Sequence, residues 1–147
     1  MIDSLRITKE VIESISHNAM SSPFESGGIL GANQNGVITE FFFDSAPIES
    51  SEFTYIPNVC SFNDVISGKW SEKSIKLAGF VHSHRNNTLI SDEDVSYMRE
   101  VIKSINSEKI ICGVVNVSAI RYALDFVKWY VVGFDSVDEV DSVLESR

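Results

Sequence analysis

The chain has 147 residues, 44% hydrophobic and 22% charged, enough to bury one sizeable core and too few for a second ordinary domain. Its formal charge of −9 argues against nonspecific binding to nucleic acid or to anionic membranes, since both rely on lysine and arginine to neutralise phosphates. The longest apolar runs, such as Ile110 to Val115, are too short to span a bilayer and the start Met-Ile-Asp-Ser-Leu-Arg lacks a signal-peptide core, so the expectation is a cytoplasmic protein with one domain over residues 1–147.

Leu5 to Ile7 reads as a short strand, and Thr8 can cap a helix whose apolar face is Val11, Ile12, Ile15 and Ala19. A connection over Ser21 to Glu25 leads to a strand at Gly28 to Ala32. Asn35-Gly36 is a strong hairpin-turn signal before a strand at Val37 to Asp44. Ser45 to Glu52 is the best candidate for a mobile loop, and Phe53 to Ile56 for another strand. Phe62, Val65, Ile66 and Trp70 make one face of a helix starting at Ser61, and Leu77 to His84 is a strand. Val95, Met98, Ile102 and Ile105 have helical spacing, which predicts a helix beginning near Ser91. Strands follow at Ile110 to Val117, Ile120 to Val127 and Trp129 to Phe134, and Val137, Val140 and Leu144 predict a final short helix. The expected class is α+β, with a mixed, mostly antiparallel sheet flanked by helices. Cys60 and Cys112 form no CxxC pair and read as buried reduced thiols.

The chemistry is concentrated in Gly79-Phe80-Val81-His82-Ser83-His84, with Asp94 ten residues beyond the second histidine. In an extended strand side chains alternate, so His82 and His84 face the same way with Cα atoms about 6–7 Å apart. That spacing suits two imidazoles on one small cation. Zn²⁺ accepts imidazole nitrogen and carboxylate oxygen together, and a catalytic zinc usually takes three protein ligands and water. Asp94 is the natural third ligand beside His82 and His84. Ser91-x-x-Asp94 is also a helix-start signature, one of five Ser-x-x-acid matches in the chain, and alone decides nothing. The two roles are compatible, because a carboxylate in the first helical turn is kept ionised by the helix dipole and free backbone N–H groups. His17 has no paired partner in sequence and reads as a surface or partly buried histidine.

Glu25 followed by Ser26-Gly27-Gly28-Ile29-Leu30-Gly31, then His82-x-His84 ending a hydrophobic segment, then Ser91-x-x-Asp94, resembles the JAMM motif of the JAB1/MPN/Mov34 metalloproteases. The match spans residues 25 to 94 by motif and is most similar to the short, stand-alone prokaryotic JAB-domain proteins. The resemblance implies a JAB/MPN-like domain and a zinc-dependent isopeptidase or peptidase acting after the C-terminal tail of a ubiquitin-like protein or related conjugate. Glu25 would be the general base and the Ser91 hydroxyl the donor to the developing oxyanion, with zinc on His82, His84 and Asp94. From its local sequence alone Glu25 reads as an exposed loop acid; order and spacing of the motif change that reading.

Two features depart from the family pattern. The family usually has seven residues between the second histidine and the serine, where this chain has six, and Arg85 replaces the common proline. Asp92 therefore competes as a ligand, and the Ser91 register favours Asp94. Two other classes compare less well. A metal-free MPN scaffold typically loses metal-site residues, whereas all five candidate positions are filled here. A PHP-type phosphoesterase needs several more histidines than the three present, and zincins are excluded because HExxH is absent.

Overall fold

The structure is a computed structural model that describes residues 4–19, 24–51, 54–118 and 126–145. Its elements in chain order are β1 (Ser4–Thr8), α1 (Lys9–Ala19), β2 (Gly27–Ala32), β3 (Ile38–Phe43), β4 (Glu49–Ser50), β5 (Tyr55–Ile56), α2 (Val59–Val65) continuing as a π-helical turn (Ile66–Trp70), β6 (Lys76–His84), α3 (Asp92–Ile105), β7 (Lys109–Asn116), β8 (Val127–Gly133) and β9 (Val137–Glu145). Seven strands close into a barrel in the order β1-β3-β2-β6-β7-β8-β9, and β4 with β5 forms a separate two-stranded ribbon. The sheet is mixed: β2 runs antiparallel to β3 and β6, β7 and β8 continue antiparallel into β9, and β6 with β7 and β1 with both β3 and β9 are parallel. The class is α+β, as expected. Among the described residues no helix is long and apolar enough to cross a membrane.

Strand alternation divides the core. On β7, Ile111 and Val115 join Val81, Trp129 and the α1 residues Val11 and Ile15 in one cluster. Ile110, Cys112 and Val114 face the other way, toward Met98 and Ile102 of α3. This period of two is what a strand covered on both faces requires. A third cluster seats Phe62 and Trp70 on Ile29 and Ile75. On β6, Val81 and Ser83 are buried on the side opposite to the two histidines, so the packing that fixes the strand also fixes the direction of His82 and His84.

Local chemistry explains most boundaries. Thr8 ends β1 and caps α1, its Oγ1 accepting the Val11 N–H at 3.3 Å. The turn after β2 is held by Asn33, whose Oδ1 accepts the N–H groups of Asn35 and Val37 at 3.0 Å each, while Gly36 takes φ +77°, a value L side chains rarely adopt.

Four expectations differ from what the structure holds. The helix expected from Ser61 starts at Val59, because Asn58 is the N-cap and its side chain accepts the Ser61 N–H at 3.2 Å. Part of the expected loop after Ser45 is β4, paired with β5 at Glu49↔Ile56 and Ser50↔Tyr55. Val137 to Glu145 is a strand and not the expected helix. Its apolar spacing fitted a helix, but pairing Trp129↔Val140 on one side and Ile7↔Leu144 on the other closes the barrel and overrides local preference. Cys112 is buried as expected, whereas Cys60 is exposed on α2, and both are free. Of the strand expected at Ile120 to Val127, residues 120–125 lie outside the described residues.

Candidate active site

α3 begins with a full capping box. Ser91 is the N-cap, Asp94 donates its N–H to Ser91 Oγ at 3.1 Å, and Ser91 returns its own N–H to Asp94 Oδ2 at 3.0 Å. This box points the Asp94 carboxylate at the end of β6. Asp94 Oδ1 lies 2.9 Å from His82 Nε2 and Oδ2 lies 3.5 Å from His84 Nε2. The two rings meet edge to face with centroids 4.6 Å apart. Asp92, the competing acid, is exposed on the first turn and makes no such approach.

Glu25 reaches the same point from the segment before β2. Its N–H donates to Ser51 O at 2.8 Å, and Ser50 Oγ donates to its carbonyl at 2.7 Å, tying it to β4. The next residue is fixed to β6: Ser26 N–H donates to Ser83 Oγ at 2.9 Å and Ser83 N–H donates to Ser26 O at 2.8 Å, both residues buried. Ligand-capable atoms of Glu25, His82 and His84 all lie within 4.8 Å of one another. A Cβ on Gly27 would collide with the Val81 carbonyl oxygen and the Tyr55 ring, so only glycine allows β2, β6 and this ring to converge beside His82.

These groups open on a cleft of about 600 Å³, lined also by Tyr55, Phe80, Tyr97 and Met98. Among the described residues its acidic lining is Glu25, Asp92, Glu93 and Asp94, with no lysine or arginine. Tyr97 packs edge to face on Phe80 with centroids 5.6 Å apart, forming one wall. Tyr55 forms another and is anchored by donating its hydroxyl to Asp44 Oδ2 at 2.8 Å, an oxygen that also accepts Asn58 N–H at 2.9 Å. Asp44 is buried and so holds the β4–β5 ribbon in place from beneath.

The electrostatics separate the two acids. Burial raises the Glu25 pKa, with His82 and His84 opposing it. Burial also works to raise Asp94, but the contacts from both histidines and the Ser91 N–H outweigh it and hold the carboxyl well below its usual range. The Asp94 contact raises His84 against its own burial. Burial pushes the Cys112 thiol up, so it is a neutral part of the cleft floor.

The donor set fits a borderline cation such as Zn²⁺: two imidazoles and a carboxylate held ionised, with a second carboxylate close by. One atom adds to the fit. Among the described residues His82 Nε2 is buried without an aligned hydrogen-bond partner, although Asp94 Oδ1 is 2.9 Å away, so the contact lies off the hydrogen-bond direction. Glu25 is the acid that groups with the two histidines by distance, while Asp94 comes within 2.9 Å of His82 Nε2 and 3.5 Å of His84 Nε2.

Scans against protein-family models and curated proteins found no match. Among solved structures, protein DSY2949 from Desulfitobacterium hafniense is similar with a TM-score of 0.73 and 16% identity, covering 97% of this chain and 94% of its own. AF2198 from Archaeoglobus fulgidus, a JAB1/MPN domain protein, is similar with a TM-score of 0.57 and 18% identity, covering 97% and 100%. The fold is that of a JAB1/MPN domain.

Within this JAB1/MPN fold the five residues singled out from sequence converge on one cleft: Glu25, His82, His84, Ser91 and Asp94. Sequence reasoning missed the walls and supports. Tyr97 is three residues after Asp94, a helical spacing that was available as a signal. Ser83 and Asp44 had none, because their partners are 57 and 14 residues away.

Proposed function

We propose that the chain is a zinc-dependent isopeptidase or peptidase that hydrolyses an amide bond after the C-terminal tail of a ubiquitin-like protein or a related conjugate. The observation that carries the reading is the buried His82 Nε2, without an aligned partner among the described residues, beside Asp94 and close to Glu25. His82, His84 and Asp94 would hold the ion, which when bound supplies a Lewis acid for a carbonyl oxygen and acidifies water. Glu25, its proton affinity raised by burial, takes a proton from the attacking water and returns it to the leaving amine. The Ser91 oxygen already accepts the Asp94 N–H, leaving its own hydrogen to donate to the oxyanion that develops on the substrate. Tyr55, Tyr97 and Phe80 narrow the approach, which favours a tail with small residues at the scissile bond, and the carboxylates on the rim suit basic residues further along it.

The test offers zinc-loaded protein two matched ubiquitin-like fusions, one with a Gly-Gly junction and one with Leu-Leu. Cleavage of the first alone is expected. Equal cleavage of both sinks the tail specificity and leaves the hydrolase reading standing. In the same assay Glu25→Gln should keep zinc content and lower turnover on the order of 10²-fold or more, since a positioned base is lost and the ligands are not. A protein that takes up no zinc on refolding with the metal is instead a metal-free scaffold.

A further inference from the structure

The shortened loop between His84 and Ser91 carries a side chain aimed back at the first of them. Asn87 Oδ1 lies 3.3 Å from His84 Nδ1 and accepts the Leu89 N–H at 3.0 Å. A backbone N–H can only donate, so its partner atom on Asn87 is the amide oxygen, and an amide oxygen can only accept. The histidine nitrogen facing that oxygen must therefore bring the proton. His84 is protonated at Nδ1 on this contact, and its Nε2 is the nitrogen turned toward Asp94 and the cleft.

The loop is braced where this contact needs it. Tyr130 donates its hydroxyl to Thr88 O at 2.7 Å, and Ser118 Oγ donates to Arg85 O and lies 3.1 Å from Asn86 Oδ1. Both flanks of Asn87 are thus tied to neighbouring segments, and the amide is presented to His84 from a fixed backbone. We propose that Asn87 is a positioning residue for metal binding: it locks the ring orientation and tautomer of His84 so that the Nε2 lone pair is offered to the ion. The assignment rests on the metal reading proposed above. A ligand histidine whose other nitrogen donates to an oxygen is both oriented and made more basic, and losing that partner typically weakens metal binding about 10–100-fold.

Asn87 also shapes the turn through Leu89, so the test must separate loop shape from the imidazole contact. Zinc affinity is measured by competition with a chromophoric chelator for wild type, Asn87→Ala, Asn87→Asp and Leu89→Ala. Asn87→Ala should bind zinc about 10–100-fold more weakly. Asn87→Asp keeps an acceptor opposite Nδ1 and should match or exceed wild type, while Leu89→Ala, in the same loop with an exposed side chain and its N–H kept, should be unchanged. The assignment is overturned if Asn87→Ala binds as tightly as wild type. It is also overturned if Asn87→Asp is as weak as Asn87→Ala, or if Leu89→Ala loses as much. A wild-type protein that binds no zinc removes the metal reading itself and this assignment with it.

Discussion

At Asp94 one carboxylate oxygen accepts the Ser91 N–H at 3.0 Å while the other lies 2.9 Å from His82 Nε2, so the group that caps the helix is also the one proposed to hold the ion. Asp92, two residues earlier, is exposed and takes part in neither. Asp94→Asn should therefore weaken zinc binding far more than Asp92→Asn, measured as the affinities of the two variants. The opposite order would move the ligand to Asp92. The contact between Asp94 and His84 makes the metal-free protein pH-dependent. Asp94 has a lowered pKa, so its contribution to stability is present above its unfolded value near 3.8 and is lost as pH falls through the folded value. His84 has a raised pKa, so its contribution is full below the unfolded value near 6.5 and is lost as pH rises through the folded one. The denaturation midpoint of metal-free wild type should exceed that of Asp94→Ala by more at about pH 5.5 than at about pH 9. A gap that does not change between the two would show that the pair contributes nothing through charge.

β2 and β6 act as one unit because Ser26 and Ser83 exchange backbone and side-chain bonds in the interior. Ser83→Ala removes the acceptor of a buried N–H, a loss of about 1–3 kcal/mol of stability. Glu25 is the residue next to that bond, whereas His82 and His84 stay on their strand. Turnover should fall while zinc content holds, as read by elemental analysis beside the assay. Loss of zinc in this variant would mean that the bond supports the histidines instead. At this scale the sequence was legible where one pattern had one meaning. α3 could be read from Val95, Met98 and Ile102 because their spacing matches the face that packs, with Met98 and Ile102 buried. β9 was misread because Val137, Val140 and Leu144 satisfy a helical spacing although only Val140 packs on the core, Val137 and Leu144 being exposed. Its identity comes from the strands on either side of it, which local spacing does not report.

Closure of the barrel depends on β9, which pairs antiparallel with β8 and parallel with β1 over Ser4↔Asp141 to Thr8↔Glu145. Removing Val137 to Glu145 would leave β1 and β8 each with an unpaired edge, and such edges recruit other chains. A chain ending after Gly133 should aggregate or fail to fold, as seen by size-exclusion chromatography and circular dichroism. A monomeric, zinc-binding truncation would show that closure is dispensable.

The sequence by itself determined the α+β class, the strand carrying His82 and His84, and the register of Asp94 after Ser91. Each of these is written in short-range periodicity, where strand alternation, helical spacing and a capping box act within a few residues. The tertiary structure alone decided that β9 closes a barrel, that Asp44 seats the Tyr55 wall through contacts 11 and 14 residues away, and that Ser83 fixes the segment of Glu25 from 57 residues away. Those partners meet only once the sheet has formed, because hydrogen bonds between distant segments follow from strand order and not from any local preference of the chain.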